Sequence, residues 1–342
     1  MGDKQAYLAS AIPALITRLV QPNCVDANGN AVGGVVQANG ACANGSPEFP
    51  PVHNMHIGIV SSSLGPRGSQ DATTCSPNTT LPLTSSMTGP SIPDHNDDRA
   101  ELLNRSSMPA SINTESPLPG TTPANFLYWY PSVMANSAPP AGGATPITDP
   151  AVLGADFGLL VNGVHQFGCG IESQLESWYR FLIQPDPYDS IAVNNGIASW
   201  VGVDKTIIQQ RHDFLRPDSL VAIIVLTDEN DSEIDVRSLG GKGYLFMTQA
   251  QQLPRGTSAC TTNGPLDPGC MSCSSPAASK SDSECAKGPY TARDDWGEDL
   301  NLRHVHMLQK YGVDPQYPIQ RYLNGLTLTT VPDRNGAYPQ GA

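Results

Sequence analysis

The residues best equipped for chemistry lie in the stretch D-S-L-V-A-I-I-V-L-T-D-E-N-D-S-E-I-D, which begins at Asp218 and ends at Asp235. Thr227, Asp228, Glu229, Asn230, Asp231, Ser232 and Glu233 make a dense cluster of oxygen donors. Donors of oxygen alone suit hard cations such as Mg2+ or Ca2+. The cluster follows a run of six apolar residues from Val221 to Leu226, rich in β-branched types. A run this short and this apolar predicts a strand buried on both faces, as in a parallel sheet covered by helices. The carboxyl ends of such strands are where open α/β sheets bind ligands. The competing reading is a solvated acidic loop.

Other chemistry is poorly represented. The chain has no G-x-S-x-G, no H-E-x-x-H, no P-loop and no Gly-rich dinucleotide fingerprint. His53 and His56 form H-x-x-H, but in a strand they point to opposite faces, which argues for structural roles. His304 and His306 lie about 200° apart on a predicted helix and fail the same test. Asp26, Asn28 and Asn30 have a faint calcium-loop look, without the rest of an EF-hand pattern, and are better read as a turn. The polar run from Asp94 to Asp98 is likewise read as a solvated turn rather than a second site.

Eight cysteines sit mostly in Gly-, Pro- and Ser-rich loops, which points to disulfides in an oxidising compartment. Cys24 to Cys42 is the preferred local pairing. Cys260, Cys270, Cys273 and Cys285 are spaced C-x9-C-x2-C-x11-C; a single C-x-x-C is a poor zinc pattern, so two disulfides are expected there and zinc is not. The expected location is therefore extracytoplasmic. No secretory signal precedes the first helical pattern, so the N-terminus as given is expected to be incomplete.

The elements that must position the acidic cluster follow from periodicity. Charged residues are only 15% of the chain, with 32 glycines and 31 prolines, a loop-rich composition. The net charge of −13 speaks against a nucleic-acid partner, which needs a basic face. No run approaches the roughly 18 apolar residues of a membrane-spanning helix. Leu8, Ile12, Leu15, Ile16 and Leu19 predict a helix over residues 3–20, with Pro13 kinking or dividing it. Residues 55–60 predict a second buried strand, and 151–165 have weak helical character. Residues 171–183 predict an amphipathic helix with Ile171, Leu175, Trp178, Tyr179 and Leu182 on its apolar face. On that helix Glu172 falls in the first turn, and Glu176 and Arg180 form an i, i+4 pair on the polar side. Further helices are expected over 203–215 and 298–311, and a last strand-like run between Tyr317 and Leu328. Residues 65–150 and 255–297 read as loop-rich insertions, the first anchored by the aromatic run F-L-Y-W-Y at 126–130.

The phrases H-I-G-I-V-S-S-S-L-G, G-C-G-I-E-S-Q-L-E-S, F-L-R-P-D-S-L-V-A-I-I-V-L-T-D-E-N-D and Y-P-I-Q-R-Y-L-N-G-L resemble a von Willebrand factor type A domain, in particular exported bacterial members that are often lipoproteins. The resemblance covers most of the chain outside the two insertions. It implies an α/β fold: a doubly wound, Rossmann-like, mostly parallel sheet flanked by helices. Residues 1–330 would form one such domain, interrupted by the disulfide-bearing insertions, with 331–342 as a tail. It also implies a metal ion-dependent adhesion site built from three loops: D-x-S-x-S, a Thr in a second loop and an Asp in a third. Asp228 matches the third-loop Asp, with Glu229 and Asp231 as neighbouring ligands. The second loop falls near residues 168–172, which contain no Thr; Glu172 is the substitute. D-x-S-x-S is absent, so the expectation is that the first strand, that motif and any signal or lipid anchor lay upstream of Met1. The resulting site would hold Mg2+ or Ca2+ weakly at best.

Three functions compete. The first is a non-enzymatic envelope or surface binding protein whose protein or polysaccharide partner supplies an acidic group. The second is a Mg2+-dependent hydrolase or phosphoryl-transfer enzyme using the acidic loop 228–233, for which no nucleophile motif is found. The third is a structural envelope protein whose site is a vestige.

Overall fold

Ile12, Ile16 and Val20 recur every fourth residue, and they are the buried stripe of the first helix, α1 (Gly2–Val20). The structure is a computed structural model that describes residues 2–37, 40–65, 81–82, 91–92, 97–108, 111–131, 137–165, 172–247, 253–278, 283, 285–287 and 303–338. The helix runs on through Pro13. Strands β1 (Asn23–Val25), β2 (Ala31–Val35) and β3 (Ser46–Pro47) form a small antiparallel sheet in the order β2-β1-β3. It is stapled by Cys24–Cys42, the expected local pairing. After β4 (Met55–Ile57), β5 (Leu81–Pro82) pairs with β6 (Ser91–Ile92) and β7 (Arg105–Met108) with β8 (Ser111–Pro117). β9 (Leu127–Trp129) and β10 (Pro146–Ile147) follow.

Helix α2 (Pro150–Val164) starts where Asp149 accepts a hydrogen bond from the Ala151 amide and Pro150 needs no donor partner. An added Cβ at Gly154 would lie 3.3 Å from the Pro13 Cα, so the missing side chain lets α2 press against α1. Then come α3 (Gln174–Leu182) and the hairpin of β11 (Ser190–Asn194) and β12 (Ile197–Val201). Asn195 and Gly196 both have positive φ, as a two-residue hairpin turn requires. Asp204 caps α4 (Lys205–Phe214) by accepting from the Ile207 amide. Short helices α5 (Ser238–Gly241) and α6 (Ala259–Thr262) precede α7 (Arg303–Tyr311) and α8 (Ile319–Thr327).

The main sheet has the order β10-β9-β4, with β10 parallel and β4 antiparallel to β9. Side chains alternate across a strand. Leu127 and Trp129 therefore face Ile12, Ile16, Leu153 and Leu160 of α1 and α2. Phe126, Tyr128 and Tyr130 face Phe181 of α3 and Ile207 of α4. The result is a helix–sheet–helix sandwich, with the run at 126–130 as its central strand rather than the anchor of an insertion. Burying aromatic residues of this size contributes roughly 1.5–3 kcal/mol each. His56 lies in this core, its Nδ1 2.7 Å from the Phe214 carbonyl oxygen, and burial holds its pKa below the ordinary value. It is structural, as expected.

A second core gathers Ile234, Leu239, Phe246, Met247, Leu253 and Met307 around the Cys260–Cys270 disulfide. Buried Arg255 donates to the Met271 and Pro268 carbonyls at 2.8 and 2.9 Å and orders the loop between the bridged cysteines and the Cys273–Cys285 pair. Cys75 and Cys169 lie outside the described residues. Three disulfides fit an extracytoplasmic protein. No helix among the described residues is long and apolar enough to cross a membrane.

Four sequence expectations need correction. Residues 221–226 form no strand and are exposed, Ile224 to 74% and its neighbour Leu220 to 95%. The strand-like run after Tyr317 is helix α8; Ile319, Tyr322, Leu323 and Leu326 repeat at helical spacing, and Pro318 supplies an extended start. Glu172 precedes α3 instead of occupying its first turn. Glu176 and Arg180 are buried and do not form a solvated pair. Glu176 binds Arg321, and Arg180 binds Asp204 at 3.2 Å.

Asp204 also accepts from Arg99 at 3.0 Å, and Arg180 donates to the Arg99 and Tyr188 carbonyls. Replacing Asp204 with Ala would remove the α4 cap and leave Arg180 buried without its counter-charge. Urea unfolding of Asp204→Ala is expected to show a loss of about 3–5 kcal/mol. A loss below about 1 kcal/mol would show that the pair does not matter to the fold.

Candidate functional site

Three segments meet at one end of the main sheet. The chain leaving β4 carries Ser61, Ser62 and Ser63; the second segment is Glu172, Ser173 and Gln174, ahead of α3; the third is the acidic loop from Thr227 onward. Ser62 Oγ donates to Glu172 Oε2, and the Ser173 amide donates to the Ser62 carbonyl at 3.2 Å. Gln174 Nε2 donates to Thr227 Oγ1 at 2.7 Å, and the Ser232 amide donates to the Glu172 carbonyl at 2.8 Å. The second segment is thus bonded to both of the others.

The expected ligands divide by environment. Asp228 and Glu229 are exposed. The Glu229 amide donates to Thr227 Oγ1 at 3.1 Å, which shapes a tight turn around Asp228. Asp231 does structural work instead. Its Oδ2 accepts from the Leu175 amide at 2.8 Å and its Oδ1 from the Glu233 amide at 3.0 Å. Ser173, the residue at the start of α3, makes no side-chain cap bond, so Asp231 serves as a cap supplied from another loop.

Residues read otherwise from the sequence complete the cluster: Glu233 stood as one of seven oxygen donors, and Asp98 as part of a solvated turn, whereas its side chain is buried and paired with Arg105. Glu233 is buried and accepts from Ser173 Oγ at 2.6 Å. Ser61 Oγ donates to Asp98, which Arg105 grips through both guanidinium nitrogens at 2.6 and 2.9 Å. The signal available was the serine run directly after a strand. Beneath the loops, Arg321 of α8 donates to both oxygens of Glu176 at 2.9 and 3.0 Å. Its guanidinium lies 4.0 Å from the Tyr179 ring centre and 4.8 Å from that of Tyr317. This joins α3 to α8 directly under the site.

The donors fit a hard cation in kind, being all oxygen, but fall short in number. Six or more oxygens surround Ca2+ or Mg2+, and among the described residues no group of three His, Cys, Asp or Glu is placed to hold an ion. Asp231 is committed to amides and Glu172 to Ser62. For zinc, Cys260, Cys270, Cys273 and Cys285 offer no thiolates, because each is bridged.

If Asp231 is a cap, Asp231→Ala should destabilise the protein by about 1 kcal/mol, within a range of about 0.5–2. Thermal unfolding measures this; an unchanged midpoint would mean that Leu175 finds an equivalent partner. Compared with known proteins, the chain matches no family model, no curated protein and no solved structure.

Proposed function

We propose that the chain is a non-enzymatic binding protein of the cell envelope or surface, built on the doubly wound, mostly parallel α/β plan of a von Willebrand factor type A domain. The observation that carries this reading is the junction of three loops through Ser62, Glu172, Ser173, Gln174 and Thr227, with Asp228 at its exposed rim. Three loops at one end of a sheet, the third bearing an aspartate after an apolar run, are what the sequence resemblance leads one to expect. Ser61, Ser62 and Ser63 contribute the hydroxyls of one loop and Glu172 the carboxylate of the second. Asp228 and Glu229 would hold Mg2+ or Ca2+ weakly, and an acidic group on a protein or polysaccharide partner would supply the missing donors. The commitment of Asp231 to α3 favours one other reading, a structural protein whose site is a vestige.

Asp228→Ala separates the two, because Asp228 is exposed and its loss leaves the cores intact. Retention of the protein on immobilised polygalacturonate, a polysaccharide of carboxylates, is measured with Mg2+ or Ca2+ and with a chelator. The binding reading predicts cation-dependent retention that falls about tenfold or more in Asp228→Ala, with an unchanged thermal midpoint. Retention indifferent to the cation and to Asp228 would make the site a vestige.

A further inference from the structure

A cavity of about 420 Å3 opens along the segment from Asp97 to Arg105, with Ser116 and Pro117 completing its lining. That volume falls within the roughly 300–1,000 Å3 of small-ligand sites. Most of the charge on its walls is compensated inside the protein. Arg105 grips Asp98 through both guanidinium nitrogens at 2.6 and 2.9 Å. Arg99 Nη2 turns to the Asp189 carbonyl at 2.6 Å and to the Asp204 carboxylate at 3.0 Å. Asn104 is satisfied by Thr121, Thr122 and the Leu118 amide.

Glu101 differs from all of these. Its side chain is 29% exposed, its ion-pair contact is Arg99 Nε at 4.0 Å, and among the described residues no hydrogen bond reaches its carboxylate. Burial, with repulsion from Asp204, holds its pKa above the ordinary carboxylate range, and Arg99 offsets only part of this. Asp97, on the same lining, adds negative potential. The wall that carries Glu101 is fixed. Its amide donates to the Asp98 carbonyl at 2.8 Å, and the Leu102 and Leu103 amides donate to Gln210 Oε1 and the Ile59 carbonyl at 2.8 and 2.9 Å. Between Asp98 and Glu101, Arg99 and Ala100 both have positive φ, 55° and 62°. Residues with side chains disfavour that conformation, and such strain collects at ligand sites.

We infer that this cavity binds an alkylammonium ion, a primary amine on a short aliphatic stem, with the ammonium on Glu101 and the stem along Leu103 and Pro117. A partly buried carboxylate without a hydrogen-bonded partner selects a cation that donates hydrogen bonds. Apolar walls select an alkyl stem over a bare metal ion, which would want six or more oxygens. An anion is disfavoured, because Arg99 and Arg105 already have carboxylates. The net charge of −13 raises the local concentration of cations. The amine is either a free small molecule or a lysine side chain. Neither Asp228 nor Glu229 takes part, so the cavity works whether or not the acidic loop binds anything.

The test uses the whole chain and pentylamine, with pentanoate as an anionic counterpart and Nα-acetyl-lysine methylamide as the lysine side chain. Calorimetry gives affinity, and NMR shifts of the Leu102 and Leu103 amides locate the ligand. The expected result is one-to-one binding of pentylamine that shifts both amides. Glu101→Gln should weaken it at least about tenfold, as loss of one charge-assisted hydrogen bond does, with an unchanged thermal midpoint. Asp218→Asn removes the same charge at an exposed site and should leave the affinity unchanged. Binding of the lysine derivative would extend the ligand to lysine side chains; its exclusion would assign the cavity to free amines. Equal losses in Glu101→Gln and Asp218→Asn would overturn the proposal as diffuse attraction to an acidic protein. Pentanoate binding as tightly as pentylamine would overturn it in favour of the arginines. Absence of shifts at Leu102 and Leu103 in the unaltered protein would overturn it without recourse to any variant.

Discussion

Two charges buried on α3 organise the rest of the molecule. Glu176 and Arg180 sit one turn apart, both inside the protein, and neither can be left without a counter-charge. Glu176 draws in Arg321 and with it α8; Arg180 draws in Asp204, the cap of α4, and Arg99 from the chain before the central strand. Arg211 of α4 adds donors to the Phe181 and Arg180 carbonyls, closing the far end of the helix. Burial, and the nearby charge of Arg180, push the Arg211 pKa down to about 10 without discharging it at neutral pH. Because α3 is fixed from both sides, its head becomes a rigid platform. The loops at Ser62, Thr227 and Asp231 are hung from that head by hydrogen bonds to Glu172, Ser173, Gln174 and Leu175.

That arrangement explains why the acidic loop behaves as two parts. Asp231 and Glu233 face inward and hold the loop to α3, whereas Asp228 and Glu229 project outward. Inward-facing carboxylates that hold the fold and outward-facing exposed ones are divided over six residues. Loss of an outward carboxylate costs the fold nothing, while loss of an inward one unpins the helix. The exposed run 220–226 ahead of the loop leads along the sheet to that same end. Both lie beside the sheet of β10, β9 and β4, which helices cover on both faces.

Much of this was legible in the sequence, and the misses share a physical cause. Helices α1, α2 and α4 show because their apolar spacing is local and needs no knowledge of the partner. Residues 221–226 show a preference for burial, but composition cannot say whether a neighbour is there to bury them. Glu176 and Arg180 have i, i+4 spacing, which predicts a solvated pair; their true partners are Arg321 and Asp204, distant in sequence. Arg321 itself lies in the segment read as a last strand-like apolar run, although Ile319, Leu323 and Leu326 keep helical spacing. The run at 126–130 is aromatic throughout except for Leu127, so no polar alternation marked it as a strand. In the site, Asp228 and Glu229 were visible as donors, whereas the capping role of Asp231 depends on α3 arriving beside it.

The measurement that tests the platform most directly is amide hydrogen exchange at Leu175 and Ser232 in Arg321→Ala. Arg321 touches neither amide; it acts on them through Glu176 and α3, and through the Tyr317 ring beside the acidic loop. If the buried pair holds the head of α3 in place, both amides should exchange at least about tenfold faster than in the unaltered protein, equivalent to about 1.4 kcal/mol of lost local stability. Unchanged exchange at Leu175 and Ser232 in a still-folded variant would show that the loops hold themselves, and that the buried charges do not position the site.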